Sequence, residues 1–207
     1  MKKFIAIFLA VLFMLSLAAC GGGEGTEDGG DDSVKVSRGV ITGDAYKNTF
    51  AGFTFTKPED WVYLSDEEIG NTIDAGQAGL DLNAIQETLA KKASVYDMAA
   101  SNVAGESVMI IYENTMLTAF KKISADEYLT SVKTQLNGVS SVEYSFGKVE
   151  DITLGSTEYK KLAVEAESSG VTFIQAYYVR MVENYAVGVV VTTFSDESLA
   201  NIEAMFS

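Results

Sequence analysis

The chain has 207 residues, and 29 acidic residues against 15 basic ones give it a net charge of −14. A charge of that sign argues against nucleic acid as a partner, because nucleic-acid binding needs a basic surface. The chain has no histidine. This removes the usual general base at neutral pH and the commonest metal ligand, and excludes a Ser-His-Asp triad and a zinc site.

The first residues have the pattern of an export signal. Lys2 and Lys3 precede an uncharged run of sixteen residues over 4–19. A membrane-spanning helix needs about 20 apolar residues, so a cleaved signal peptide over residues 1–19 fits this run better than a permanent span. Cleavage would leave 13 basic and 29 acidic residues, a net charge of −16.

The leader ends in Leu17-Ala18-Ala19-Cys20, which resembles the lipobox of bacterial lipoproteins. In that family the cysteine thiol receives a diacylglyceryl group, and the leader is cut just before it. Cys20 is the only cysteine in the chain, so it cannot form an internal disulfide. Two acyl chains, such as palmitate, would make a stable anchor to the extracytoplasmic face of the cell membrane. The alternative is an ordinary secretory peptide with an incidental cysteine.

A glycine-rich acidic stretch follows the cysteine, and we interpret residues 20–33 as a lipidated cysteine and a flexible tether. Thirteen residues of flexible coil would span roughly 20 Å. The acidic residues Asp28, Asp31 and Asp32 lack the spacing of a calcium loop, so a solvated spacer is the better interpretation.

The remaining residues, 34–207, are predicted to form one globular domain. Two short strands are expected over residues 40–46 and 50–56, and Trp61 and Tyr63 follow at once. This aromatic pair is either a platform for a ligand or, as we favour, a plug that closes one end of the core.

Helices and strand pairs then alternate along the chain. Capping patterns at Ser65, Ser124 and Ser195 predict helices that begin at the next residue, and a further helical stretch is expected near residues 83–92. Three antiparallel strand pairs are predicted, over residues 95–103 with 107–114, 142–153 with 157–167, and 172–182 with 185–194. Such an order indicates an α+β fold with helices packed on an antiparallel sheet.

Several short motifs resemble the small Gram-positive lipoproteins with a PsbP/Mog-type fold. They are Gly43-Asp44-Ala45-Tyr46-Lys47-Asn48, Gly52-Phe53-Thr54-Phe55, Pro58-Glu59-Asp60-Trp61, Tyr96-Asp97-Met98 and the strand through Ile110 to Glu113-Asn114. The resemblance implies a central antiparallel sheet flanked by helices, an αβα sandwich. Members act as binding or assembly modules: one supports photosystem II, and the Mog-type proteins bind a small GTPase. They share no catalytic residues, and neither role is expected to transfer to this chain.

No catalytic motif stands out, and no cofactor or metal is expected. The chain has no phosphate-binding loop and no nucleophile elbow, and many of its acidic residues fall in the tether or in first helical turns. An aromatic partner surface is the candidate binding site, formed by Tyr177, Tyr178 and Tyr185 and extended to Trp61 and Tyr63.

The sequence therefore predicts a lipid-anchored extracytoplasmic module that is not an enzyme and acts in binding or assembly, with a role and a partner that the sequence does not identify. One alternative is a lipoprotein that captures a small solute or ion. A second alternative is a carboxylate-dependent cell-wall hydrolase.

Overall fold

The structure is a computed structural model, and it describes residues 35–73, 85, 88, 89 and 94–207. The predicted signal peptide, Cys20 and the predicted tether lie outside the described residues. So does most of the helix expected near residues 83–92, of which Ile85, Thr88 and Leu89 are helical. None of the helices within the described ranges is both long and apolar enough to cross a membrane.

Ten strands and, apart from the helical residues 85, 88 and 89, four helices have their bounds within the described residues. The strands are β1 (Val40–Thr42), β2 (Ala45–Asn48), β3 (Phe53–Thr56), β4 (Trp61–Tyr63), β5 (Ser94–Asn102), β6 (Ser107–Asn114), β7 (Glu143–Leu154), β8 (Thr157–Ser168), β9 (Val171–Val182) and β10 (Tyr185–Thr193). The helices are α1 (Asp66–Ile73), α2 (Thr115–Thr118), α3 (Ala125–Asn137) and α4 (Asp196–Glu203).

Seven strands form the central sheet, in the order β4-β5-β6-β10-β9-β8-β7, and all neighbours are antiparallel. All eight residues of β6 are buried, as its continuous apolar run predicts for a central strand. The three predicted strand pairs are present to within one or two residues at their ends. The α+β fold class is confirmed.

Both faces of this sheet are covered. Helices α1 and α3 pack on one face through Ile69, Leu129 and Val132. Helix α4 packs on the other face through Leu199 and Ile202, beside a small sheet of strands β1-β2-β3. The predicted arrangement of helices on both sides of an antiparallel sheet is therefore confirmed.

The small sheet differs from the sequence prediction at its start. Gly43 has a φ of +60°, so the chain turns there and the strand predicted over residues 40–46 is divided into β1 and β2. The last residues of the chain extend this sheet. Thr54 N donates to Ser207 O at 2.7 Å, and Ser207 N donates back to Thr54 O at 2.9 Å.

Helix α3 forms as its sequence predicts. The Ser124 hydroxyl accepts from Glu127 N at 3.2 Å, while the Glu127 carboxylate accepts from Ser124 N at 2.8 Å. Its buried residues are Tyr128, Leu129, Val132 and Leu136, which share one face of the helix. The same reciprocal pair joins Ser65 and Glu68 at the start of α1.

Candidate functional site

The tyrosines of the predicted partner surface are buried. Tyr177 and Tyr178 are 4% and 0% exposed, and because they are neighbours in β9 they point to opposite faces of the sheet. The Tyr177 hydroxyl donates to Gln175 Oε1 at 2.6 Å, and the Tyr178 hydroxyl donates to Glu203 Oε1 at 2.5 Å. The expectation of a binding surface at these two residues was wrong, since both faces of the sheet are covered.

The other three aromatic residues of that prediction also serve the fold. Trp61 is buried against Phe55, which confirms the plug interpretation. The Tyr63 hydroxyl donates to Asp44 O at 2.9 Å, and burial together with the Asp44 charge raises the pKa of Tyr63 to about 12. Tyr185 is half-buried and meets the ring of Phe50 edge-on. The five residues therefore do not form one exposed surface.

The buried carboxylate of Asp97 holds the first described residues, which follow the predicted tether, against the domain. The pairing of β5 with β6 shifts register between Tyr96 and Met98, so Asp97 is the extra residue of a β-bulge. The bulge places Met98 on the same face as Val95, and it points the Asp97 side chain toward the small sheet.

Asp97 accepts hydrogen bonds from several elements at once. Gly39 N donates to Oδ2 at 2.8 Å, and Arg38 Nε donates to Oδ1 at 2.9 Å. Donors to Oδ2 also come from the buried side chains that surround it, Tyr46, Asn48 and Tyr112. We call these six residues the Asp97 cluster. Both carboxylate oxygens have donors, one of them charged, so the buried charge is compensated within the protein.

Arg38 connects the cluster to helix α1. Its guanidinium donates to both carboxylate oxygens of Asp66, at 2.8 and 3.0 Å, and also to the backbone oxygen of Asp97 at 3.0 Å. Planar, two-point pairing of this kind is what distinguishes arginine from lysine at such a site. The first described residues are thus fastened between α1 and β5.

The electrostatics of the cluster favour this fastened state. Partial burial opposes the charge of Arg38, but hydrogen bonds and charges from Asp66 and Asp97 raise the pKa of the guanidinium. Burial, together with the nearby Asp97 charge, raises the pKa of Tyr46 and Tyr112 well above that of a free tyrosine. Both phenols therefore remain neutral donors at physiological pH.

Two further carboxyl groups are held by hydrogen bonds. The Glu113 side chain is buried in β6 and accepts from the Tyr128 hydroxyl at 2.7 Å, and burial raises the pKa of Glu113 although this bond opposes the rise. Burial would also raise the pKa of Glu106. The hydrogen bonds from Ser198, Thr193 and Asn102 to the Glu106 carboxylate outweigh this effect, so the pKa of Glu106 is lowered.

These carboxyl groups do not converge. Among the described residues, no group of three or more His, Cys, Asp and Glu side chains is arranged to hold a metal ion. The hydrogen bonds around Asp97 fix the position of Arg38 and Gly39 against the main sheet, so the role of the cluster is structural.

Sequence reasoning missed the Asp97 cluster. The signal was present, since an aspartate interrupts the apolar run Val95-Tyr96-Asp97-Met98-Ala99-Ala100. A charged residue in such a strand indicates either a turn or a buried pair. Its partner Arg38 lies 59 residues earlier in the chain, and nothing in the local pattern connects the two.

Comparisons with known proteins give distant likenesses only. No protein-family profile matches the sequence, and no curated protein matches it significantly. The chain is similar to the solution structure of cyanobacterial PsbP (CyanoP) from Synechocystis sp. PCC 6803, at 13% identity and a TM-score of 0.47 over 86% of this chain and 97% of that one.

A second solved structure is LpqN, described as involved in cell envelope biogenesis of Mycobacterium tuberculosis. It has 14% identity and a TM-score of 0.37, over 73% of this chain and 76% of that one. A PsbP-type protein is thus among the structures that the chain resembles. At these values the likeness assigns neither a family nor a function, and the fold class rests on the strand order of this chain.

Proposed function

We propose that the chain is a lipoprotein, held by a diacylated Cys20 on the extracytoplasmic face of the cell membrane, whose domain is a non-catalytic binding or assembly module. The observation that supports this most is the Asp97 cluster. Its buried charge holds Arg38 and Gly39, the residues that follow the predicted tether, against the central sheet.

A fastened N-terminal segment suits an anchored domain. Lys35 is exposed, while the next residue, Val36, is buried in the core. The two points at which Arg38 meets Asp66 and Asp97 then join this segment to a helix and to a strand of the main sheet. A pulling force on the tether would therefore be distributed over a helix and the main sheet, and would not act on a single edge strand.

The absence of catalysis is part of the proposal. The most buried carboxylates are engaged with neighbouring donors: Asp97 with Arg38, and Glu113 with Tyr128. A paired-carboxylate hydrolase needs two carboxyl groups that face a shared substrate about 5–10 Å apart. Glu113 lies beneath helix α3 instead, with its hydroxyl partner on that helix.

Crosslinking in intact cells tests the module. A lysine-reactive crosslinker is applied to cells that make the chain, and the captured proteins are identified by mass spectrometry. One dominant protein partner is expected, and it should be lost from a Cys20→Ala variant that leaves the membrane. Capture of abundant neighbours alone, equal for both forms, would contradict the assembly role.

The alternatives have their own tests. Digestion of purified cell wall by the wild-type chain, abolished in Glu113→Gln, would replace the proposal with the hydrolase. A reproducible rise in melting temperature with one small solute or ion would replace it with the capturing protein.

A further inference from the structure

One exposed aromatic residue has an unfavourable backbone conformation. Phe120 is 69% exposed, and its φ of 56° lies in the left-handed region that bulky residues rarely adopt. Neither hydrophobic burial nor backbone preference accounts for a phenylalanine here. Such strain is typical of sites where function, and not folding, selects the residue.

The segment around Phe120 is apolar and basic. We call residues 116–122, Met116-Leu117-Thr118-Ala119-Phe120-Lys121-Lys122, the Phe120 segment. Met116 is also exposed, and no acidic residue occurs between Asn114 and Asp126. Lys121 and Lys122 form salt bridges to Glu127 and Glu183, but these pairs are exposed and therefore weak.

The neighbouring turn of the main sheet fixes the segment in place. Thr115 donates through its backbone N and its hydroxyl to Asn184 O, at 2.9 and 2.8 Å. Asn184 Nδ2 donates to Asn114 Oδ1 at 3.1 Å. The β9–β10 turn thus fixes the start of α2, from which the Phe120 segment continues.

The Phe120 segment lies at the end of the sheet near which the described chain begins. It follows the C-terminal end of β6, whereas Val103, which is 99% exposed, precedes the other end. Eight residues of strand separate the two ends by about 24 Å. Ser37 O lies 3.2 Å from the hydroxyl oxygen of Tyr112, near the C-terminal end of β6. The first described residues therefore lie closer to the Phe120 end of β6 than to the Val103 end.

We infer that the Phe120 segment rests on the lipid bilayer that carries the anchor, with the Phe120 ring in the interfacial region and Lys121 and Lys122 directed to anionic headgroups. The inference builds on the proposed function, since it takes Cys20 to be lipidated. Aromatic rings favour the interface between water and hydrocarbon, and neighbouring lysines extend toward the headgroups.

The distribution of charge favours the Phe120 segment over the rest of the domain surface as the part that contacts lipid. The mature chain would carry 13 basic and 29 acidic residues, so an anionic leaflet repels most of its surface. Repulsion between exposed charges and the leaflet acts within about 8 Å at physiological salt. The predicted tether spans roughly 20 Å, so the domain can approach the leaflet to within this range. The Phe120 segment has no acidic residue of its own, its two lysines offset the charges of the neighbouring Glu127 and Glu183, and it exposes apolar side chains, so it is the surface expected to face the lipid.

Site-specific labelling of the acylated mature protein tests the inference. The only cysteine, Cys20, is occupied by lipid, so a new cysteine takes an environment-sensitive fluorophore selectively. Met116→Cys reports on the Phe120 segment, and Ala104→Cys, beside Val103, is the matched control at the other end of the sheet. Each labelled protein is placed in vesicles of phosphatidylcholine and phosphatidylglycerol that contain a lipid-borne quencher, and flotation measures anchoring independently.

The inference predicts a blue-shifted and quenched signal at position 116 and an unshifted, unquenched signal at position 104. Phe120→Asn should abolish the quenching at position 116 while the protein still floats. It should also raise the melting temperature, because asparagine tolerates the left-handed conformation. If Phe120→Asn gains stability and loses lipid contact, the phenylalanine serves lipid binding and not folding.

Four results would overturn the inference. Protein that floats without quenching at position 116 would leave the anchor intact and remove the lipid contact. Equal quenching at both positions would show a domain without preferred orientation. Quenching that persists in Phe120→Asn would assign the contact to other residues. Protein that does not float would overturn the anchor and the inference together.

Discussion

Arg38 and Asp97 are 59 residues apart in the sequence, yet Arg38 Nε donates to Asp97 Oδ1 at 2.9 Å. The Asp97 side chain is fully buried, whereas a quarter of the Arg38 side chain reaches solvent. A buried anion is stable only while its partner remains in place. The stability of the whole domain therefore depends on the first described residues, which include Arg38, staying in place.

Arg38→Ala should lower the free energy of unfolding by about 3 kcal/mol or more, because it leaves the Asp97 carboxylate buried without its cation. Arg38→Lys should recover part of this loss, since lysine keeps the charge but not the two-point geometry. Urea unfolding measures both. The matched control is Lys122→Ala, which breaks an exposed pair with Glu183 and should cost less than about 1 kcal/mol. Equal losses for Arg38→Ala and Lys122→Ala would contradict the role of the cluster.

Gly39→Ala should destabilise the domain by about 1–3 kcal/mol, because a Cβ at this position would overlap the ring of Tyr46 within the Asp97 cluster. Gly43→Asn is the control. Gly43 has a φ of +60° and open space around it, and asparagine accepts that conformation. Thermal unfolding of the two variants should show a large fall in melting temperature for the first only. A tolerated alanine at position 39 would mean that the close approach is not required.

Glu113 should make stability depend on pH. Burial raises its pKa above the ordinary value of 4.5, so the folded state favours the neutral carboxyl. The resulting stability is fully present below the pKa of the unfolded chain and is lost as pH rises through the higher pKa of the folded state. Glu113→Gln stays neutral throughout and should escape that loss.

The measurement is the difference in unfolding free energy between Glu113→Gln and wild type as a function of pH. We expect the variant to gain on wild type as pH rises from about 4, and the difference to level off above the folded pKa. A difference that does not change with pH would show that Glu113 has the same pKa in the folded and unfolded states.

Phe206→Ala should lower the free energy of unfolding by about 3 kcal/mol, because the ring is buried between the small sheet and the core. Phe194→Ala makes the same chemical change at a more exposed position, where less apolar area is lost and the cost should be clearly smaller. Similar costs at the two positions would contradict the packing of the C-terminal residues against β3.

Local signals in the sequence predicted much of this fold. Helix α3 carries its capping box at Ser124 and its apolar stripe within one short stretch, so both ends and the buried face follow from neighbouring residues. The strand pairs likewise follow from alternation and from their turns. Gly43 shows the limit of such a reading, because a single left-handed residue divided one predicted strand into two.

The candidate site could not be predicted in the same way. Tyrosines such as Tyr177 and Tyr178 occur both on exposed sheet surfaces and in cores, so their residue type does not decide between the two. Their burial depends on helices and strands far away in the sequence. Asp97 is re-aimed by a bulge, which shifts the strand's alternation by one residue. Its donors come from residues 38–112, a span over which local periodicity carries no information about contact.

The most direct test of the account is the intact mass of the chain extracted from membranes, with fragmentation of its N-terminal peptide. We expect a peptide that begins at Cys20 and carries a diacylglyceryl group on the thiol, and a Cys20→Ala chain without lipid. A chain that retains residues 1–19, or one that begins elsewhere with an unmodified Cys20, would contradict the lipid-anchored module.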